Sequence, residues 1–360
     1  MIADTMGRRV VVGLLVYLLA ALLAFPGHLF AMPQGGQVVS GQAQISQTDS
    51  LKMAVNQATS KAIINWQQFS IARPEAVRFF QPSISAVALN RVVGVDPSAI
   101  YGQLTANGSL FLINPNGILV GPTGRIETNN FIASTLDMAN RDFLDGNYTF
   151  IQDPTASLSS ILNQGLLQAN PGGSVSLIAP AVENQGTIVA NLGKVNLGAG
   201  EQATLSFAGN DLIRFAVGAP VTGQVTRPDG TVIEDNVLNT GRLSADGGEV
   251  VLSARSAFQA VKSVVNNTGV IEAKTLENQN GAIRLDGGDH GIVTNSGTLD
   301  ASGLGDGETG GRVEVTGEKT ALVHYSKILA SGNTGGGEVF VGGGFQGKDP
   351  QIKNGKITYV

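Results

Sequence analysis

Asn267-Thr268-Gly269-Val270-Ile271-Glu272-Ala273 and Asn295-Ser296-Gly297-Thr298-Leu299-Asp300-Ala301 are two copies of one phrase, Asn-x-Gly-x-(Ile/Leu)-x-Ala. Three more copies open at Asn163, Asn184 and Asn239 and close at Ala169, Ala190 and Ala245. Their glycines, Gly165, Gly186, Gly241, Gly269 and Gly297, lie 21, 55, 28 and 28 residues apart. Because 55 is about two spacings, a degraded copy is expected near residues 209–216. A second phrase, Gly-x-(Val/Ile)-x-(Leu/Val), alternates with the first and begins at Gly173, Gly193, Gly248, Gly281, Gly311 and Gly337. Each repeat therefore reads as two short strands and a return segment. A period of roughly 20 to 30 residues means a solenoid, and alternation inside each phrase makes its elements strands. The stretches between glycines are too short and too rich in Asn, Thr, Ser and Gly for helices, so the expected fold is an all-β parallel β-helix.

In that fold Ile188, Leu243, Ile271 and Leu299 point inward and stack on equivalents one coil away at ~4.8 Å. The alanine that follows each fits near a corner. Glycine is expected to supply positive φ there, and the recurring Asn to occupy the left-handed region or to bond the turn backbone. The same phrases recur in weaker form at Gly102 and Gly108, so the regular coils are expected from about Asn90. That predicts ~11 to 13 coils and a length near 55–60 Å. Residues 32–71 lack the repeat and show short alternating segments with polar turns at 47–50 and 56–60. They read as an N-terminal β cap, within a cap region of about 32–90, covering the strand edges and apolar side chains of the first coil.

Composition agrees with a repetitive β protein. The 360 residues include 48 glycines, about twice the usual share, while only 14% are charged and 6% aromatic. A net charge of 23 − 28 = −5 offers no basic surface for a polyanion, which argues against nucleic-acid binding. With 42% hydrophobic residues the chain is too apolar to be disordered. There is no cysteine, and the three histidines are His28, His290 and His324, which leaves little material for metal or thiol chemistry. Neither a metal nor a cofactor is expected.

At the N-terminus, Arg8 and Arg9 precede an apolar run over residues 10–25, then Pro26, Gly27 and Leu29-Phe30-Ala31. This is the order of a secretory signal peptide over residues 1–31, with cleavage expected near Ala31. The run is shorter than the roughly 20 residues a membrane span needs. Export also suits the missing cysteines, since an oxidising periplasm closes loops in a cysteine-bearing chain before it has finished moving.

Asn114-Pro115-Asn116-Gly117-Ile118 stands inside a strand-rich stretch, residues 108–124. Around it are Asn65-Trp66-Gln67-Gln68-Phe69-Ser70-Ile71, Val77-Arg78-Phe79-Phe80-Gln81-Pro82-Ser83, Ala88-Leu89-Asn90-Arg91-Val92, Asp96-Pro97-Ser98-Ala99-Ile100-Tyr101-Gly102 and Phe131-Ile132-Ala133-Ser134-Thr135. An Asn-Pro-Asn-Gly alone is only a turn. In this order, across roughly residues 32–270, the chain resembles the amino-terminal secretion domain of two-partner secretion exoproteins, the filamentous-haemagglutinin-like family. The resemblance implies a right-handed single-stranded parallel β-helix, export by the Sec machinery, and recognition in the periplasm by an outer-membrane β-barrel transporter bearing POTRA domains. It implies a secreted or cell-surface protein of a Gram-negative-type bacterium, adhesin- or haemagglutinin-like, with a host or cell-surface receptor as a further partner. Residues 114–118 become the partner-recognition or folding motif. The family's second motif, Asn-Pro-Asn-Leu, is absent, and Phe80-Gln81-Pro82-Ser83 stands in its place.

Two other classes of secreted β-helix compete. A polysaccharide lyase or hydrolase needs converging carboxylates, or a Ca²⁺ site with a basic partner. The best candidates are Asp286-Gly287-Gly288-Asp289-His290 and the group Asp306, Glu308 and Arg312, both of which also read as solvent turns. His324 beside Tyr325 lies among apolar residues and reads as packed. An autotransporter needs its own membrane barrel of ~10-residue alternating strands, and the residues after Ala301 read instead as repeat and glycine. Residues 271–360 are thus expected to be further β-helix repeats, and their ending on a strand-like segment suggests a truncated product. No enzyme activity is expected.

Overall fold

The computed structural model describes residues 32–360 apart from Asn210, Pro228, Phe258, Gln259, Glu277 and Asn278. The signal-peptide reading of residues 1–31 lies outside the described residues. The described residues form one unit. It winds as a single-stranded parallel β-helix with three sheets, not two strands and a loose return. Sheet 1 holds the second-phrase strands, such as Ser174–Ala179 and Lys194–Ala199. Sheet 2 holds the return strands, such as Ala181–Asn184 and Asp235–Asn239. Sheet 3 holds the first-phrase strands, such as Thr187–Val189 and Arg242–Ser244. The return is a strand because it ends on the phrase's Asn, whose backbone pairs in register with the Asn one coil away: Asn163, Asn184, Asn239, Asn267 and Asn295 lie side by side in sheet 2.

The predicted core stack is present. Leu167, Ile188, Leu243, Ile271, Leu299 and Ile328 are neighbours in sheet 3. Ile188, Leu243, Ile271 and Leu299 are fully buried, as are Ala190, Ala245, Ala273 and Ala301. The repeat glycines work differently from the expectation. None of the ten phrase glycines from Gly165 to Gly311 lies at positive φ. They are glycine because coils touch there: a β-carbon on Gly186, Gly241, Gly269 or Gly297 would overlap the carbonyl oxygen of the phrase glycine one coil earlier.

Four strands begin the chain: β1 (Gln37–Ser40), β2 (Ala43–Asp49), β3 (Lys52–Gln57) and β4 (Lys61–Trp66). Only β1 and β2 form the cap, running antiparallel to β4 and β3 respectively. Parallel coiling already begins at β3, which pairs with Ala76–Phe80, and at β4, which pairs with Val87–Val92. The cap is therefore shorter than the expected 32–90. The first coils escaped the repeat pattern because their corner at Gln81 is built by a side chain instead of a glycine. Gln81 is buried, its Nε2 donating to Gln57 Oε1 (3.1 Å) and to the carbonyls of Ala86 and Ser109, while Oε1 accepts from Gly108 N.

Sheet 1 has eleven strands, of which β1 is the antiparallel cap, leaving ten parallel rungs. Ten rungs at ~4.8 Å span about 45 Å, below the predicted range. The difference comes mainly from one long coil. Asn184 pairs directly with Asn239, so the 55-residue spacing is one turn and not two. The expected degraded copy at 209–216 is instead part of a hairpin, Gln202–Ala208 against Asp211–Val217. That hairpin joins Tyr148–Ile151 in a three-stranded antiparallel sheet. Together with helix α1 (Asn140–Asp145) it buries the outer face of sheet 1 in a second core of Phe111, Phe143, Tyr148, Phe150, Leu89 and Leu205. Arg91 ties this excursion down: Nε donates to Asp137 (2.8 Å), Nη1 to Asn140 (2.6 Å) and Nη2 to the Met138 carbonyl. Beyond Ala301 the coils continue through Glu338–Val341 and Ile357–Tyr359.

Candidate partner-recognition site

The Asn-Pro-Asn-Gly turn connects Ser109–Ile113 in sheet 1 to Ile118–Val120 in sheet 2. Asn114 is fully buried and Gly117 has φ +111°, which only glycine adopts readily. Gly117 N donates to the Asn114 carbonyl (3.1 Å), closing the turn, and Asn116 N donates to Asn114 Oδ1 (3.0 Å). The side-chain amides face away from solvent and brace the loop one coil earlier. Asn114 Nδ2 donates to the Asp96 carbonyl and to Ser98 Oγ, both at 3.0 Å, and Asn116 Nδ2 donates to the Gly94 carbonyl at 2.9 Å. Pro115 is half-buried, and Ile118 is fully buried in the core beside Ser98 and Ile161. The motif thus spends its donors on residues 94–98. Sequence reasoning did not pick out that loop, although Asp96-Pro97-Ser98 lies within the quoted resemblance.

Where the second family motif would stand, Gln81 N donates to Asn107 Oδ1 and Asn107 Nδ2 returns a bond to the Gln81 carbonyl, both at 2.8 Å. Phe80 is half-exposed beneath the Arg78 guanidinium, 4.6 Å from the ring centre. A cleft of about 620 Å³ opens beside it, lined by Lys52, Arg78, Thr105 and Glu127 among others.

A feature the spacing did not reveal is a hydrogen-bonded asparagine ladder in sheet 2. Asn163 Nδ2 donates to Asn184 Oδ1, Asn184 to Asn239, Asn239 to Asn267 and Asn267 to Asn295, at 2.7–2.8 Å, and Asn295 ends on Ser326 Oγ. All five asparagines are fully buried. They neither occupy the left-handed region nor face solvent, contrary to the first of the two expected roles.

The candidate chemical groups are taken up in ion pairs and loop bonds, Asp286 and Asp289 along one cleft of about 290 Å³ that Arg255, Glu314 and Lys353 also line. Asp286 is engaged by Arg255 at 2.6 Å and by Gly288 N, while Asp289 pairs with Lys353, which holds its carboxyl below the usual range. His290 is exposed and stands 3.8 Å from Glu318. Glu308 folds back on Gly305 N, whereas Arg312 pairs with Glu314 and Glu338 on sheet 1. His324 is not packed: it is exposed at φ +55° in the turn after Lys319–Leu322, where a corner needs a left-handed residue. No group of three potential metal ligands occurs among the described residues.

A capped single-stranded β-helix with an Asn-Pro-Asn-Gly turn braced onto its early coils defines a class, the β-helical secretion domains. Residues 30–301 match the TPS secretion domain model, and the chain belongs to that family. The match runs past the expected boundary at 270. The chain is 31% identical over 264 residues, 70% of its length, to a heme/hemopexin-binding protein of Haemophilus influenzae. Over 112 residues it is 34% identical to a hemolysin of Serratia marcescens. The matched stretches cover 28% and 6% of those proteins' own lengths. The crystal structure of the HMW1 secretion domain from Haemophilus influenzae superposes with a TM-score of 0.76 at 31% identity, covering 91% of this chain and 82% of that one.

Proposed function

We propose that residues 30–301 are an export address, read in the periplasm by an outer-membrane β-barrel transporter through its POTRA domains. The family match over that span carries the reading. In this reading the Sec machinery delivers the chain, with the signal peptide removed near Ala31. The protein then acts outside the cell as a non-enzymatic binding protein, adhesin- or haemagglutinin-like. Binding of haem or hemopexin, named for one relative, is the second activity to assay. In support of a non-enzymatic role, Asp286, Asp289 and Glu338 are each taken up in an ion pair, with Arg255, Lys353 and Arg312 respectively.

The test is export of the full chain in a Gram-negative host with and without a co-expressed outer-membrane β-barrel transporter of the two-partner secretion type. Appearance of folded protein outside the cell only with the transporter is the expected result. Export independent of it, or retention in its presence, overturns the reading.

A further inference from the structure

The outer face of sheet 1 changes character along the helix. In one outward column Ile63, Leu89, Phe111 and Ile132 stand side by side on four successive rungs, and Ile178 follows on the fifth in the neighbouring column. All five are buried, in the second core beneath helix α1, Tyr148–Ile151 and the hairpin at 202–217. Farther along, the first column reaches Arg284 and Glu314, which pair with each other at 3.0 Å. Among the described residues the second core includes nothing beyond Phe215.

The covering elements are tied to coils far from them in sequence. Lys61, on β4, donates its Nζ to the Leu144 carbonyl (2.6 Å) and the Phe143 carbonyl (3.3 Å) at the end of α1. Arg91, one rung later, holds residues 137–140. Phe111, on the third rung, meets Phe143 edge-on with 5.7 Å between ring centres, and Tyr148 at 4.9 Å. Tyr148 in turn pairs with Leu205 across the antiparallel sheet and sets its ring edge-on to Phe207 at 5.6 Å. A path of side chains thus joins β4 to the hairpin on the outside of the helix. In a plain solenoid each coil touches only its neighbours, so a local perturbation fades along the stack. One outer core shared by five rungs removes that freedom, because none of the five can open without exposing side chains that the others also bury.

We propose that α1, Tyr148–Ile151 and the hairpin form a latch, which locks the five rungs from Lys61–Trp66 to Ser174–Ala179 into one unit that opens all or none, while the coils from Ala282 onward open on their own. The inference goes beyond the export reading and does not depend on it. The latch gives the early coils a folded state that holds whether or not the coils after the hairpin are formed.

The test is native-state amide exchange of the full chain in low urea, comparing the wild type with Leu205→Ala and Lys61→Met. In the wild type the slowest amides of the five rungs should share one opening free energy and one dependence on urea, whereas those of Arg312–Thr316 should exchange faster with a weaker dependence. Leu205→Ala removes apolar contacts on the hairpin side. It is expected to speed the slowest amides of all five rungs, Lys61–Trp66 included, by one common factor of about 30-fold or more, with Arg312–Thr316 unchanged. Lys61→Met removes only the two bonds to α1 at the opposite rim, so it keeps the test decisive if Leu205→Ala folds poorly. It is expected to speed exchange in Gln202–Ala208 about tenfold. Acceleration that fades with distance from the substitution, or unaltered exchange in Gln202–Ala208 of Lys61→Met, overturns the latch. Equal acceleration of Arg312–Thr316 overturns its restriction to the early coils. Transporter-independent export, which would end the export reading, leaves this inference standing.

Discussion

Replacing Asn239 with Ala removes the middle rung of the ladder. Asn239 Oδ1 accepts from Asn184 Nδ2 at 2.8 Å, and its Nδ2 donates to Asn267 Oδ1 at 2.7 Å. Two inter-coil bonds are therefore lost, each worth about 1 kcal/mol net. The two partners then differ. Asn184 Nδ2 keeps its bond to the Gly186 carbonyl (3.2 Å), but Asn267 Oδ1 loses its donor in a site with no exposed surface. An orphaned buried acceptor adds about 1–3 kcal/mol, which brings the expected cost to about 3–5 kcal/mol. Solenoids depart from all-or-none unfolding, so a single midpoint would blur this number. Native-state amide exchange resolves it coil by coil. Amides on the strands of Ile188, Leu243 and Ile271 should exchange about 100-fold faster or more, since about 1.4 kcal/mol is tenfold, while those of β3 and β4 should change little. In the Asn239→Ala/Asn267→Ala double mutant the orphaned Asn267 acceptor is gone, and Asn295 Oδ1 loses its donor just as it does in Asn267→Ala alone, so the pair should couple by at least about 1 kcal/mol. A single-mutant cost under about 1 kcal/mol, or strict additivity, would show that the ladder contributes nothing beyond shape.

Gly269→Ala places a β-carbon against the Gly241 carbonyl oxygen and should cost about 2–3 kcal/mol by pushing adjacent coils apart, whereas Gly335→Ala, where the added carbon meets only Thr309 at an ordinary 3.7 Å, should stay within about 0.5 kcal/mol. Urea titration of the two variants checks the contrast, and equal effects would refute close approach as the reason for glycine. Burial pushes the Asp235 carboxyl above the usual carboxylate range, against smaller opposing effects from its bonds to Asn266 and Ser263. Native Asp235 thus holds its proton to higher pH than the unfolded chain does, so its contribution to stability falls as pH rises from the ordinary carboxylate pKa through the raised one. Asp235→Asn should lack that part of the pH–stability profile. An identical profile in the variant would show that the group's environment does not shift its titration.

How much of this was legible in the sequence follows from what a linear repeat can encode. Positions such as Ile188 and Leu243 were placed correctly because stacking demands the same residue type at the same phase of each coil. The role of the intervening asparagines was not, because a bond from Asn184 to Asn239 spans 55 residues of chain and leaves no local signature. The same limit hid the first coils, where Gln81 replaces a glycine corner, and the hairpin, whose Gly209 at φ +63° imitated a phrase glycine. At the Asn-Pro-Asn-Gly turn the residues were legible and their direction was not, since only the fold shows both amides turned onto residues 94–98.

The ladder also has a direction. In every link the donor lies on the earlier coil and the acceptor on the later one, from Asn163 to Asn295. A coil formed at the growing edge therefore meets a donor already held in place, its Nδ2 oriented by the carbonyl of the phrase glycine two residues on, as at Asn184 and Gly186. The antiparallel strands β1 and β2 close only the N-terminal face of the helix. Coils added from that face always pack against a finished surface, so each pays loop-closure entropy for contacts that are immediately available. Coils formed first in the middle would leave two unpaired faces. Cap and ladder polarity both favour assembly from the N-terminal end, the order in which an exported chain that enters its transporter by its N-terminal domain would meet its own earlier coils.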